Sequence, residues 1–182
     1  MAPRARLSRT GVVEIAVGVV DRHGYDALNL SVVAEALGVG PSALYSHVDG
    51  LDGLRRVVAV ESVRRLTCDV RDAAIGTAGD DAVRAVATAY RDFVRRHPGR
   101  FAATLQSTGG AERADVDREL HSVFVLLHRA GGHDEQAAEL AARSSRSALH
   151  GFAVLEHADP DGSHDAEFGH LVDLLCRILT PS

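Results

Sequence analysis

The stretch Ser31–Val48, SVVAEALGVGPSALYSHV, combines apolar residues at helical spacing with two glycines in its centre. The spacing predicts a helix over Leu30–Leu37. Gly38, Val39 and Gly40 predict a tight turn, and Pro41 suits the first position of a following helix, where a missing N–H costs nothing. This second helix is expected over Pro41–Val48. Two short helices joined by a tight turn predict a helix-turn-helix, whose second helix presents side chains to base edges in DNA.

The apolar and polar positions of this stretch divide into an inner and an outer set. We expect burial of Leu30, Val33, Ala34, Leu37, Val39, Leu44 and Val48. The residues left to face outward are Ser42, Ala43, Tyr45, Ser46 and His47. Small residues let the helix approach the groove floor, and Ala43 can contact a thymine methyl group. Tyr45 and His47 are long enough to reach phosphates.

A basic segment precedes the first predicted helix. Arg4, Arg6 and Arg9 occur with no acidic residue among them, although the whole chain has a net charge of −5. Such a segment is consistent either with a solvated terminus or with a contact to phosphate or to the minor groove. The neighbouring helix-turn-helix favours the DNA contact.

The remaining sequence predicts further helices and no strand. A first helix is expected from Ser8 or Thr10 to about Arg22, and six more follow the helix-turn-helix at about 51–75, 81–97, 99–107, 114–130, 134–157 and 166–180. Hydrophobic residues make up 46% and aromatic residues only 4%, which favours closely packed Ala, Val and Leu helices over a β-sandwich. We therefore expect an all-α fold of about nine helices, with a helix-turn-helix domain over 1–50 and a larger helical domain over 51–182.

The segment Tyr25–Leu54, YDALNLSVVAEALGVGPSALYSHVDGLDGL, resembles the N-terminal domain of tetracycline-repressor (TetR) type transcriptional regulators. Its most specific parts are AEALGV and ALYSHV. The resemblance implies a homodimeric repressor that binds a palindromic or near-palindromic double-stranded DNA operator and whose larger helical body binds a small-molecule effector. By position it assigns phosphate contact to Ser31 and DNA contact to Gly40, Ser42, Ala43, Tyr45 and His47.

Two positions depart from the family pattern. Leu51, flanked by Asp49 and Asp52, stands where the family often has a lysine for a phosphate, and Ser46 stands where Arg or Lys is common. Each change removes positive charge that would neutralise phosphate. They leave open an alternative function, a protein-interaction module of the same fold with weak or lost DNA binding.

Enzymatic, metal and membrane functions find little support in the sequence. We find no Gly-rich phosphate loop, nucleophile elbow or metal ligand set, so no catalytic residue and no cofactor is expected. His121 and His128 are seven residues apart, as are His150 and His157, and two helical turns of about 10 Å are too long for one ion. Two distant cysteines, no secretory signal and no membrane span lead us to expect a cytoplasmic protein.

The scarce aromatic residues concentrate in the predicted body. We expect a mostly apolar, uncharged effector to bind among them, in an internal pocket bounded by the fifth, sixth, seventh and eighth predicted helices. The candidate ligand-binding residues are Tyr90, Phe93, Phe101, Leu105, Phe124, Leu127, His150 and Phe152. The same rings are equally consistent with the ordinary core of a helical bundle.

The last two predicted helices carry the candidate dimer interface. Small residues on the eighth helix allow close helix packing, and an apolar stripe runs along the ninth. Together they could form a four-helix interface across a two-fold axis. The stripe consists of Phe168, Leu171, Leu175 and Ile178.

Overall fold

The computed structural model describes residues 7–106 and 110–179, and within these ranges the chain is helical with no strand. The α-helices are α1 (Arg9–His23), α2 (Leu30–Leu37), α3 (Gly50–Ala74), α4 (Gly79–Arg96), α5 (Pro98–Gln106), α6 (Ala111–Ala130), α7 (Glu135–Ala158) and α8 (Asp165–Leu179). Two 3-10 helices lie between them, a single turn at Tyr25–Ala27 and a longer one at Pro41–Ser46, called here the short helix. The predicted all-α fold of about nine helices is confirmed.

The short helix differs in type from the α-helix that its position suggests. The amide of Ala43 donates to the carbonyl of Gly40 at 3.0 Å and that of His47 to Leu44 at 2.9 Å, both three residues back. An α-type bond returns only with Val48, whose amide also donates to Leu44. Helices of 3-10 type persist only in short pieces, so its position depends on packing with its neighbours.

Side-chain and glycine caps fix the helix ends around the short helix. Asn29 Oδ1 accepts a hydrogen bond from the Val32 amide at 2.9 Å and so caps α2, as the sequence predicts. Gly38 ends α2 in the left-handed region, at φ 67°, and its amide donates to the carbonyls of Ala34 and Glu35. Glycine adopts this conformation without the strain that a Cβ would bring.

The described chain divides into two compact units. The first unit contains residues 7–63, 97–106 and 110–113, and the second contains 64–96 and 114–179. The first unit therefore includes α5 as well as the helix-turn-helix. The domain boundary after residue 50 stays a prediction about function, because the compact unit around the motif extends further along the chain.

In the first unit, α5 lies directly against the end of α1. A Cβ built on Gly99 would come within 2.5 Å of the Val20 carbonyl oxygen and 3.3 Å of the Gly24 Cα. That carbonyl already accepts the Gly24 amide at 3.0 Å, the bond that closes α1. Only glycine fits at position 99 with the two helices this close.

A charged cluster joins the same two helices. The Arg100 guanidinium binds both carboxylate oxygens of Asp21, with Nε–Oδ1 and Nη2–Oδ2 distances of 2.9 and 2.6 Å. His97 Nδ1 lies 3.1 Å from Asp21 Oδ1. Burial alone would raise the pKa of Asp21, but the hydrogen bonds and charge of Arg100, and then those of His97, outweigh it and hold the pKa below its ordinary value.

In the second unit, Arg91 connects α4 to both α7 and α8. Its guanidinium is almost buried and lies 2.6 Å from Glu156 Oε1 and 2.8 Å from Asp165 Oδ1. The same group stands over the Phe168 ring, 4.5 Å from its centroid. A buried arginine is tolerated when its charge is paired and its plane is stacked, and both conditions hold here.

The core of the second unit also contains a buried histidine. His128 is 1% exposed, and its Nε2 lies 2.9 Å from the Ser145 Oγ. The ring of His133 packs edge-on against it with centroids 5.5 Å apart. Burial first, and the neighbouring His133 second, lower the pKa of His128 to about 4.

Two classes of feature are not found among the described residues. None of the described helices has the length and apolar character needed to cross a membrane. In the same part of the chain no cluster of three or more His, Cys, Asp or Glu side chains is placed to hold a metal ion.

The depressed pKa of His128 makes stability dependent on pH. The unfolded chain takes up this proton near pH 6.5 and the folded chain only near pH 4, so stability falls as the pH drops between these values. The shift corresponds to a loss on the order of 3 kcal/mol by pH 4. Urea unfolding at fixed protomer concentration should show that the advantage of wild type over His128→Leu shrinks by this amount between pH 7 and pH 4. His121→Leu is the matched control, and an advantage of wild type over His128→Leu that does not change with pH would contradict the assignment.

Candidate nucleic-acid interface

The inner side of the short helix is fixed in the core of the first unit. Leu44 is fully buried, and Val48, just beyond the end of the helix, is 5% exposed. Both belong to one apolar cluster with Val33 and Ala34 of α2, which are also buried. The predicted inner face of the helix-turn-helix is therefore confirmed, with Leu30, Leu37 and Val39 packed around it as partly buried residues.

The opposite side of the short helix faces away from this core. Ser42 and Ser46 are exposed, and Tyr45 is 62% exposed, which is unusual for a large aromatic side chain. Ala43 and His47 are half-buried at its edges. The Ser46 hydroxyl donates to the Ala43 carbonyl at 3.0 Å, so it is already engaged within the helix.

The other predicted DNA-contacting residues flank the short helix in sequence. Gly40 and Ser31 are exposed, at the turn and at the second residue of α2 respectively. Arg9 is the first residue of α1, and its guanidinium lies 3.4 Å from the Glu112 carboxylate in an exposed ion pair. Arg4 and Arg6 lie outside the described residues. No structural observation tests DNA contact by these residues, and it stays a prediction.

A polar cavity adjoins the carboxyl end of the short helix. It has a volume of about 400 Å³ and is lined, within the first unit, by Tyr45, Ser46 and His47 together with Arg9, Arg56 and Arg113. Three guanidinium groups thus lie beside the side chains predicted to approach DNA. Arginine is the side chain best suited to binding phosphate oxygens in pairs.

The acidic residues that flank Leu51 are each paired with an arginine of α3. The Asp49 carboxylate lies 3.7 Å from Arg56 Nη2, and the Asp52 carboxylate lies 4.0 Å from Arg55 Nη1. Leu51 itself packs against the core of the first unit. Both pairs are at least partly exposed, so each contributes little to stability, but each offsets the negative charge of its aspartate.

Arg56, like Arg113, is an arginine of this cavity that the sequence analysis missed. It lies on α3, away from the helix-turn-helix in sequence, yet the fold places it in the same cavity as Tyr45 and His47. Its spacing seven residues after Asp49, at the start of the predicted fourth helix, was the available signal, because positions seven residues apart lie on one helix face.

The predicted ligand-binding residues are not gathered around one large cavity. Tyr90, Phe93 and Phe124 are almost fully buried in the second unit, and Tyr90 Oη lies 3.0 Å from His150 Nδ1. Phe152 packs against Phe168 with ring centroids 5.4 Å apart. Phe101 and Leu105 belong to the first unit. The assignment of this set to a ligand site stays a prediction.

A cavity of about 480 Å³ in the second unit has a different lining. Its walls come from the end of α3, the following loop, the start of α4 and one side of α6. Ala74, Ala82, Leu126 and Leu127 contribute apolar surface, and Leu127 is the one predicted ligand-binding residue among its lining residues. Its volume lies within the usual range of small-molecule sites.

The outer faces of α7 and α8 expose large apolar side chains. On α7, Leu140 and Leu155 are 61% and 71% exposed, and on α8, Leu174 and Ile178 are 40% and 39% exposed. Leu175 corrects the stripe predicted from the sequence, because it is 2% exposed and packs inside the second unit. It faces Val83 and Val86 of α4 around a small internal pocket.

Comparison with known proteins identifies relatives along most of the chain. Residues 83–179 match the family described as tetracyclin repressor-like, C-terminal domain. The HTH-type transcriptional regulator Rv0681 of Mycobacterium tuberculosis is 37% identical over 159 residues, which cover 86% of this chain and 73% of the relative. The HTH-type transcriptional regulator YobS of Bacillus subtilis is 33% identical over 156 residues, covering 85% and 82%.

Solved structures show the same fold at lower identity. BioQ, crystallised with its double-stranded DNA operator, aligns with a TM-score of 0.69 at 24% identity and covers 94% of this chain and 99% of its own. This likeness concerns the fold, whereas the family assignment follows from the two closer relatives and from the matched C-terminal domain. On this basis the chain belongs to the TetR family of helix-turn-helix transcriptional regulators.

Proposed function

We propose that this regulator is a homodimeric repressor that binds a palindromic or near-palindromic operator and that a small apolar molecule, bound in the second unit, controls its affinity for DNA. The observation that carries the proposal is the short helix, with Leu44 fully buried and Tyr45 largely exposed one residue later. A side chain as large as tyrosine is held out to solvent by a helix whose other side is fixed in the core. That arrangement supports a surface built for contact with a partner.

Within this interface, the length and position of each side chain determine whether it contacts bases or the DNA backbone. Ser42 and Ala43 are short and lie near the start of the short helix, so they act on base edges once the helix enters the major groove. Tyr45 and His47 lie later and reach the sugar-phosphate backbone. Backbone contacts position the protein, while base contacts select the sequence.

Arginines outside the helix-turn-helix neutralise the DNA phosphates. Arg56 and Arg9 line the polar cavity beside His47, and they supply the positive charge that Leu51 lacks. In the free protein, Arg56 forms an exposed ion pair with Asp49 at 3.7 Å. When DNA is bound, Arg56 leaves Asp49 and binds a phosphate instead. The same pairing weakens the case for the alternative function as a protein-interaction module, because Asp49 does not stand as an isolated negative charge.

Dimerisation follows because a palindromic operator must be contacted by two helix-turn-helix domains. Two short helices that contact successive turns of one DNA face are about 34–36 Å apart, or a related spacing, which a single protomer cannot provide. The exposed leucine and isoleucine side chains of α7 and α8 supply apolar surface for a two-fold interface. The buried Leu175 takes no part in it.

Effector control requires that the small molecule distinguish two states of the protein. The cavity of about 480 Å³ offers the space, and its walls are mostly apolar. The effector must bind the DNA-competent and DNA-incompetent states unequally, by roughly 1–3 kcal/mol, or it regulates nothing.

The division of roles on the short helix is testable by substitution. Tyr45→Ala should weaken binding to the promoter beside its own gene and to unrelated duplexes by a similar factor, roughly tenfold, because it removes a hydrogen bond to charged phosphate. Ser42→Ala should instead change operator preference and spare nonspecific affinity. Mobility-shift titrations on both duplexes measure this, with Ser144→Ala on α7 as control. A Tyr45→Ala protein with altered base preference and normal nonspecific affinity would contradict the assignment, and wild type that binds no operator would refute DNA control.

The phosphate role of Arg56 predicts a change in salt dependence. Arg56→Gln should reduce the slope of log affinity against log salt concentration by about 1, since one charge contact is lost. Fluorescence anisotropy with labelled operator at several salt concentrations measures this slope. Arg65→Gln is the matched control, because Arg65 is also an exposed α3 arginine paired with an aspartate, Asp69, at 3.0 Å. Equal slopes for wild type and Arg56→Gln would remove Arg56 from the interface.

The dimer interface predicts the effect of charge on α8. Leu174→Glu combined with Ile178→Glu should give a monomer in sedimentation velocity at micromolar concentration, since the two new carboxylates of each protomer would be desolvated at the two-fold interface and repelled by those of its partner. Both side chains are exposed in the protomer, so circular dichroism should remain that of a folded helical protein. Thr88→Glu adds a charge on an exposed face of α4 and should leave the dimer intact. A monomeric wild type would rule out the proposed dimer.

A further inference from the structure

The hydrogen-bonding capacity of His128 is only half used. The ring is 1% exposed, and Nε2 lies 2.9 Å from Ser145 Oγ. Nδ1 is buried and has no hydrogen-bond partner among the described residues. A buried polar atom without a partner is unfavourable, so the site gains when a suitable group binds there.

Beside this ring lies a small internal pocket. Its volume is about 10 Å³, and His128 and Ser145 supply its polar atoms among apolar neighbours such as Val83, Phe124 and Leu149. A space of this size holds roughly one water molecule or one hydroxyl group. The pocket is too small for a whole effector molecule, but it is large enough for the polar end of one.

The small pocket and the 480 Å³ cavity share a wall. Leu127 lines both spaces. On α4, Ala82 lines the large cavity and the next residue, Val83, lines the small pocket. Leu127 is half-buried and borders the open space of the large cavity, and side chains with space beside them exchange between staggered rotamers.

The chemistry of the His128–Ser145 pair selects the group that fits. If Ser145 donates to Nε2, then Nδ1 carries the proton and needs an acceptor, whereas if Nε2 donates to Ser145, Nδ1 needs a donor. A hydroxyl group satisfies either tautomer. A carboxylate would bring an unpaired charge into an apolar pocket, and a methyl group would leave Nδ1 without a partner.

We infer that the small molecule in the second unit is an apolar alcohol or phenol whose body occupies the large cavity and whose hydroxyl group passes Leu127 and hydrogen-bonds to His128. This inference rests on the proposed effector control and names the chemical class of the effector. The lowered pKa of His128 agrees with it, because a neutral ring can accept or donate at neutral pH.

Two probes that differ in one group test the inference. 4-Phenylbutan-1-ol carries an aromatic body and a terminal hydroxyl on a flexible chain, and butylbenzene lacks the hydroxyl. Partition from water alone favours butylbenzene, so a preference for the alcohol reports a hydrogen bond. We expect the alcohol to bind the full-length wild-type protein roughly tenfold more tightly, since a site with a buried polar partner rejects an analogue that leaves it unpaired.

Substitution and spectroscopy locate the hydrogen bond. The preference for the alcohol should be lost in His128→Leu and kept in His121→Leu, which changes a half-buried histidine on the same helix. Protein labelled with ¹⁵N-histidine allows a second measurement on wild type, in which the alcohol should shift the His128 ring nitrogens and leave those of His121 unchanged. The spectrum decides the question if His128→Leu fails to fold.

Several results would overturn the inference. They are binding of butylbenzene at least as tight as that of the alcohol, no binding of the alcohol, a preference that survives in His128→Leu, or His128 signals that do not move. In each case the small pocket does not bind the hydroxyl group of the effector. A hydroxyl-dependent shift at His128 without any change in operator affinity would instead leave the site intact and refute effector control, so the two failures are distinguishable.

Discussion

The burial of Leu44 is the contact on which the rest of the DNA-binding surface depends. A six-residue 3-10 helix has too few hydrogen bonds to be stable alone, and nothing in its own sequence fixes the direction of its side chains. Leu44, fully buried, and Val48 attach it to α2 and to the start of α3. Burying one leucine contributes about 1.5–3 kcal/mol, comparable to the cost of ordering the backbone of one or two of these residues. The outward position of Tyr45 is a direct consequence of this attachment.

In the second unit, a polar contact adds to the apolar core. Arg91 of α4 contacts α7 and α8 through two carboxylates and an aromatic face, so a single charged side chain links three helices that also pack through buried apolar residues. Around the large cavity the walls include Ala74, Ala78 and Ala130, whose methyl groups leave space that longer side chains would fill. Ion pairs such as those of Arg91 can help to hold the helices in position even where the apolar side chains between them leave space.

The sequence predicted well those features that depend on neighbouring residues. Helix positions, the Asn29 cap, the glycine turn and the buried side of the helix-turn-helix follow from local spacing and from short side-chain contacts, and the structure confirms them. Features that depend on distant partners were predicted less well. The apolar stripe that contains Leu175 is compatible with packing against a second protomer or against another helix of the same protomer. Only the packed structure shows that α4 covers Leu175.

The same reason explains what the sequence did not reveal about the sites. Phe101 looked like a body residue because of its place in the chain, but α5 folds back onto α1 and takes it into the first unit. Arg56 reaches the short helix only through the geometry of α3. The sequence also did not distinguish a 3-10 from an α-helix at the short helix, since a proline at the first position and a buried leucine are compatible with both types.

The contact of Gly99 with α1 has a consequence for how this protein tolerates variation. The Val20 carbonyl that a Cβ at position 99 would strike is the same group that closes α1 through the Gly24 amide. Position 99 therefore behaves like a core position although it has no side chain, whereas Gly24 has open space where a Cβ would stand and is restricted by its positive φ of 80°. Relatives that carry a larger residue at position 99 would have to move α5 away from the end of α1.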